Sequence, residues 1–203
     1  MLKCRKVAVT GPIASGKSSV CRFLRELGAF TVDADAIVHR LLIPDHFLGQ
    51  KVIQLLGPDI VRDEQIDRGK IAEKVFTNHE LLWKLEQLIH PEVQKEVASL
   101  YKEVCSTANY SLFVVEIPLL FETRSNEIYD SVIVVEAEEE KSKQRFIERS
   151  KYNGEEFARR SARLIPLNQK KELADFVIVN NSSLADLHAQ VKDVYLQLVR
   201  GNN

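Results

Sequence analysis

The stretch Val7-Ala-Val-Thr-Gly-Pro-Ile-Ala-Ser-Gly-Lys-Ser-Ser-Val20 restricts what this chain can fold into more than any other part of it. A short β-branched run leads into a loop bounded by Gly11 and Gly16, and a helical stripe begins just beyond. From Gly11 to Ser18 the spacing is G-x-x-x-x-G-K-S, the phosphate-binding P-loop pattern. Glycines permit backbone conformations that turn successive N–H groups inward as an anion nest, and the following helix adds the positive end of its dipole. Such a loop holds a polyphosphate. Lys17 would reach the β- and γ-phosphates, and the Ser18 hydroxyl is an oxygen ligand of the kind Mg²⁺ prefers. Pro12 has no N–H to give, so the donors are expected from Ala14 to Ser18. Because Ala14 resists positive φ, Ser15 and Gly16 are expected to bear the tighter part of the turn.

At 203 residues the chain can bury one sizeable core, and 28 basic against 29 acidic residues argue against bulk attraction to nucleic acid or to membranes. No apolar run approaches the ~20 residues of a membrane span, which leads us to expect a cytosolic protein. Cys4, Cys21 and Cys105 are widely spaced, with no C-x-x-C, and read as buried or incidental thiols.

Val20, Phe23, Leu24 and Leu27 mark the helix after the loop, Gly28 stops it, and Ala29-Phe-Thr-Val32 reads as a second strand. Strand, helix and strand within this span make a βαβ unit with parallel strands. The second strand ends in Asp33-Ala-Asp35, and in open α/β sheets ligands bind outside the carboxyl ends of the strands. Asp33 is expected to do chemistry and Asp35 to cap or orient. From Pro44 to Phe76 short helical pieces follow, with no strand for the main sheet, and Asn78 to Val104 reads as a long helix with a kink or break just before His90-Pro91. His90 beside that break is a candidate ligand contact.

Leu112-Phe-Val-Val-Glu116 suits a central buried strand, with Glu116 placed to hold a Mg²⁺-bound water or to cap the adjoining turn. In that turn-like segment, Ile117-Pro-Leu-Leu-Phe-Glu122, the apolar residues around Leu119 are expected to form a substrate wall or local core. Ser131–Val135 is a fourth strand. The charged helix from Glu138 to Arg149 sets Arg145 and Arg149 on one face, useful if a phosphate lies between them. Beyond it, Ser150 to Arg163, with Arg159, Arg160 and Arg163, reads as a mobile lid, and Phe176–Val179 as the fifth strand. One folded unit is expected: an α/β fold with a five-stranded parallel sheet wrapped by helices.

Gly11-Pro-Ile-Ala-Ser-Gly-Lys-Ser18, Asp33-Ala-Asp35, His90-Pro91, Ile117-Pro-Leu-Leu-Phe-Glu122 and Val177-Ile-Val-Asn-Asn181 occur here in the order seen in dephospho-coenzyme A kinases, which the chain resembles from about Val7 to Asn181. The resemblance implies a P-loop NTPase of nucleoside-monophosphate-kinase-like fold, with a core, a helical substrate-binding insertion at about residues 36–104 and a lid at about 150–165. It also implies ATP-dependent, Mg²⁺-assisted phosphorylation of the ribose 3′-hydroxyl of dephospho-CoA, the last step of coenzyme A synthesis. On this basis Gly11, Ala14, Ser15, Gly16, Lys17, Ser18 and Ser19 would bind ATP, and Lys17, Asp33 and Arg149 would act in transfer. Asp33, Asp35, His90 and Leu119 would meet the acceptor, and Ser18 and Glu116 the metal. Pro12 and Ala14 stand where glycines are common in that family, Leu164 where a glutamine is frequent, and Ser150 where an aspartate is usual. The remaining alternatives are a kinase of another small metabolite or nucleotide, and a nucleotide-operated switch that binds a partner protein. The chain has no N-K-x-D guanine-reading motif.

Overall fold

The computed structural model describes residues 4–150 and 152–200. In chain order the elements are β1 (Arg5–Thr10), α1 (Lys17–Glu26), β2 (Phe30–Asp33), α2 (Ala34–Leu41), α3 (Phe47–Leu56), two short strands β3 (Val61–Arg62) and β4 (Gln65–Ile66), α4 (Arg68–Phe76) and α5 (His79–Ser106). There follow β5 (Leu112–Glu116), β6 (Ser131–Glu136), α6 (Glu139–Arg149), α7 (Gly154–Ser161), α8 (Leu167–Glu172), β7 (Phe176–Val179) and α9 (Leu184–Arg200). The chain packs as two compact units, Met1–Val32 together with Tyr101–Asn203, and Asp33–Leu100.

The first unit is built on a five-stranded sheet in the order β2-β5-β1-β6-β7. The pairs β1/β5, β1/β6 and β6/β7 are parallel, with Val9 opposite Glu116 on one side and Ile133 on the other. Side chains alternate between the two faces of a strand, so one sequence run feeds two cores. Val7, Val9, Ile133 and Val135 pack under α1 and α9 with Val20, Leu24, Leu187, Val191 and Leu198. Ala8, Val132 and Val134 face the other way, onto Leu120 and Phe121. Leu120 and Phe121 are therefore local core, and Leu119 alone of the three stays half-buried.

Helix termini are set by local chemistry. α1 ends where Gly28 N–H donates to Arg25 O and Ala29 N–H to Leu24 O, which turns the chain into β2. α9 begins with a reciprocal box in which Asp186 N–H donates to Ser183 Oγ, and Ser183 N–H and Oγ donate to Asp186 Oδ2. α7, within the basic stretch read as a lid, is capped by Asn153 Oδ1, which accepts from Glu156 N–H at 3.1 Å. Lys151, in the same stretch, lies outside the described residues.

The second unit has its own core of Leu42, Leu48, Val52, Leu56, Ile60, Ile66, Ile71, Val75 and Leu85. Its short β3–β4 hairpin turns through Asp63 and Glu64, both at positive φ (49° and 59°), the conformation two-residue hairpin turns require. Of the kink or break expected just before His90-Pro91, a break is excluded: α5 runs on for 28 residues with Pro91 inside it. Proline removes one ladder bond, the N–H that would reach Gln87 O, and the turns on either side carry the helix across. Among the described residues, no helix is long and apolar enough to cross a membrane.

Candidate phosphate-binding site

The loop between β1 and α1 is shaped at three residues of positive φ: Gly11 (146°), Ala14 (53°) and Gly16 (101°). The expectation that Ala14 would avoid this region is overturned. With Pro12 fixing φ in the first half of the loop, the reversal falls on Ala14, and Ser15 keeps ordinary backbone geometry. The glycines at either end are needed for close approach. A Cβ on Gly11 would sit 2.3 Å from Val135 O, and one on Gly16 would sit 2.1 Å from Asn180 Nδ2.

Gly16 is the N-cap of α1 and supplies no side-chain cap. The first bonds into the helix come from Ser19 N–H and Val20 N–H to Gly16 O, and the amides of Gly16, Lys17 and Ser18 stand at the positive end of α1. They form the dipole-backed donor set that an anion needs. Lys17 is buried, and its ammonium donates to Gly11 O at 3.1 Å and Pro12 O at 2.8 Å, which holds the cation over the loop.

Ser18 Oγ donates to Glu116 Oε1 at 2.9 Å, so the first turn of α1 meets the carboxyl end of β5. A hydroxyl and a carboxylate, both hard oxygen donors, make this corner suitable for Mg²⁺. Among the described residues no cluster of three or more His, Cys, Asp and Glu is placed to hold a metal by itself. A cation at Ser18 and Glu116 would therefore take most of its oxygens from phosphate and water.

Asn180, just past β7, braces the loop from the opposite side. Its Nδ2 donates to Ser15 O at 2.7 Å, and its own carbonyl accepts from Arg145 Nη2 at 3.1 Å. Arg145 Nη1 is buried with no hydrogen-bond partner among the described residues. Arg149, one turn further along α6, is exposed. In α7, Glu156 pairs with Arg159 and Arg160, at 2.6 Å in each case, and the two guanidinium groups hold its carboxyl below the usual carboxylate range.

The carboxylates after β2 divide their work differently from expectation. Asp33, not Asp35, is the N-cap of α2: its Oδ1 accepts from Asp35 N–H at 2.9 Å and from Ala36 N–H at 3.3 Å. Both residues are exposed, with Asp35 in the first helical turn. The reason is positional, since Asp33 is the last extended residue and an N-cap needs extended φ and ψ. His90 is half-buried in α5, and desolvation holds its pKa below the ordinary histidine value. Leu119 lies in the turn after β5.

Two participants were not singled out from the sequence as site residues. Asn180 falls within the Val177–Asn181 motif without a role attached to it, although a polar side chain at the carboxyl end of a parallel strand is the available signal. Arg145 was noted for its spacing from Arg149, yet Arg145 is the one that reaches the loop's brace.

A family model described as dephospho-CoA kinase matches residues 5–186 of the chain. The dephospho-CoA kinase of Protochlamydia amoebophila is 43% identical over 199 residues, which is 98% of each chain. That of Chlamydia pneumoniae is 40% identical over 198 residues with the same coverage. Among solved structures, the dephospho-CoA kinase from Campylobacter jejuni superposes with a TM-score of 0.71 at 30% identity, covering 98% of both chains. Shikimate kinase from Acinetobacter baumannii, with a TM-score of 0.54 at 17% identity over 100% of this chain and 96% of its own, shares the fold alone.

Proposed function

This chain belongs to the dephospho-CoA kinase family, and on that premise we propose how its own residues carry the ATP γ-phosphoryl group to the ribose 3′-hydroxyl of dephospho-CoA. The reaction class itself comes from the family: ATP-dependent phosphorylation of dephospho-CoA in coenzyme A synthesis. The observation that carries the residue-level reading is the corner where Ser18 Oγ meets Glu116 Oε1 at 2.9 Å beside the Gly11–Ser18 loop.

Phosphoryl transfer asks for in-line positioning and charge neutralisation far more than for covalent help. The amides of Gly16, Lys17 and Ser18 bind the phosphates, aided by the α1 dipole. Lys17 exchanges its Gly11 and Pro12 carbonyl partners for the β- and γ-phosphate oxygens as nucleotide enters. Ser18 and Glu116 would hold Mg²⁺, which would supply charge neutralisation at the phosphate oxygens. Asn180 keeps the loop in its binding shape through Ser15 O, and Arg149 supplies positive charge toward the transferring group.

On the acceptor side, Asp33 orients the incoming hydroxyl and takes its proton. Its cap to α2 uses Oδ1, and Oδ2 has no hydrogen bond among the described residues. β2 stands next to β5 in the sheet, and the carboxyl ends of such strands are where ligands bind. Asp35, His90 and Leu119 are the further residues proposed for the acceptor. The α7 segment, with its clustered arginines, closes over the bound nucleotide and excludes water.

Phosphorus NMR of the product tests this reading. Protein incubated with ATP, Mg²⁺ and dephospho-CoA should yield one new phosphomonoester resonance coupled to the ribose 3′ proton. A monoester at another hydroxyl, or release of inorganic phosphate alone, would contradict it.

A further inference from the structure

Glu122 and Lys170 form a buried ion pair that the phosphate chemistry does not use. Lys170 Nζ lies 2.8 Å from Glu122 Oε1, with side-chain exposures of 1% and 15%. The same Oε1 accepts Ile165 N–H at 2.9 Å. Glu122 Oε2 is buried with no hydrogen-bond partner among the described residues. Stability is a weak explanation for such a pair, because desolvating two charges offsets most of their attraction and a well-packed apolar pair does at least as well.

What the pair joins is more informative. Glu122 closes the Ile117–Phe121 turn, which leaves β5 directly after Glu116. At its near end the turn is fixed to the loop-bearing strand by Ile117 N–H on Val9 O at 2.9 Å and Thr10 Oγ1 on Pro118 O at 3.3 Å. At its far end Thr123 N–H and Oγ1 donate to Leu119 O within the turn, at 3.1 and 2.9 Å, and Glu122 ties the turn outward, to Lys170 in α8 and to the backbone at Ile165. Ile165 and Leu167 pack beside Leu120 and Phe121 in the same apolar cluster. Displacing either member of a buried ion pair strands a charge. The pair therefore adds to packing a charge-based constraint on the register of the turn against α8.

We propose that Glu122 and Lys170 are positioning residues for the acceptor: the buried pair fixes the turn that carries Leu119, and so sets where Leu119 meets dephospho-CoA, without touching it. The inference rests on the proposed role of Leu119 at the border of the acceptor. Its kinetic signature is separable from instability. Loss of folded enzyme lowers kcat and moves neither KM, whereas a misplaced wall raises the acceptor KM and spares that of ATP.

The test compares Lys170→Met, Glu122→Gln and the double variant. Each single change strands one buried charge and lowers Tm, while the double variant removes both charges and is expected to regain most of the lost Tm. In the double variant the acceptor KM should stay raised by about tenfold, with the ATP KM within about twofold of wild type. Amide exchange at Ile165 and across residues 119–123, read without any substrate, should be faster than in wild type. Recovery of the acceptor KM together with Tm, or unchanged exchange in these amides, would overturn the proposal. If the wild-type protein does not turn over dephospho-CoA, the acceptor reading has failed on its own, and the exchange rates alone then decide whether the pair immobilises the turn.

Discussion

Asn180 Nδ2 donates to Ser15 O at 2.7 Å, across 165 residues of sequence, and so binds the strand at one edge of the sheet to the phosphate loop. The contact is buried, and Asn180 also fills the space that a Cβ on Gly16 would need. Asn180→Ala should leave Ser15 O without this donor and cost about 1–3 kcal/mol of stability, the usual penalty for an orphaned buried acceptor. Because the loop's shape depends on it, the ATP KM should rise by about tenfold, equivalent to ~1.4 kcal/mol of lost binding. Chemical denaturation and steady-state kinetics read the two effects separately.

Ala14 occupies left-handed backbone at φ 53°. That conformation costs an L-residue roughly 1–2 kcal/mol relative to glycine. Glycine there gives back roughly 0.4–1 kcal/mol through the greater freedom of the unfolded chain. Ala14→Gly should therefore be neutral to mildly stabilising, with nucleotide binding intact. A clear drop in Tm would show that the Ala14 methyl makes packing contacts that outweigh its backbone strain.

Asp33 carries two duties that substitution can separate. Asp33→Asn keeps an oxygen for the α2 cap and cannot take a proton, so kcat should fall by on the order of 10² to 10⁴ with little change in ATP affinity. Asp33→Ala removes the cap as well and should add roughly 0.5–2 kcal/mol of destabilisation. Should Asp33→Asn leave kcat untouched while Asp35→Asn abolishes it, proton transfer belongs to Asp35.

His90 gives the 33–100 unit a pH dependence whose sign is fixed. Burial lowers its pKa below the ordinary value of 6.5, so the folded state favours the neutral ring. The resulting stability is full above the unfolded pKa and is lost as pH falls through the lowered folded value. Between about pH 7.5 and about pH 5.5, wild type should lose more Tm than His90→Gln, which has no such group to protonate. Parallel Tm curves for the two proteins would remove His90 as the source.

Local signals carried most of what was legible from sequence. The β-branched runs at Val7, Leu112, Ser131 and Phe176 gave the sheet strands, and the Gly11–Ser18 spacing gave the loop, because each is written within a few consecutive residues. The β3–β4 hairpin was missed because Asp63-Glu64 takes up a turn that normally advertises itself through glycine or asparagine. Between a kink and a break at Pro91 the sequence did not decide, because propensity argues locally, while the flanking turns supply enough helix to span one absent bond. At the site, Asp33 could be placed at a strand end but not assigned its cap, which depends on backbone angles at a single residue. Asn180 and Lys170 owe their roles to partners distant in sequence, and no spacing rule reports those.

Lys17 provides the most direct test of the central claim, that this loop transfers phosphate from ATP to dephospho-CoA. ADP release should be measured with ATP and Mg²⁺, with and without dephospho-CoA, for wild type and Lys17→Ala. We expect wild-type turnover to depend on dephospho-CoA. We expect Lys17→Ala to keep its fold by circular dichroism and lose activity by on the order of 10² to 10³ or more, as when a preorganised charge on the transition state is removed. ADP release by wild type that is indifferent to dephospho-CoA, or near-normal turnover by folded Lys17→Ala, would contradict it.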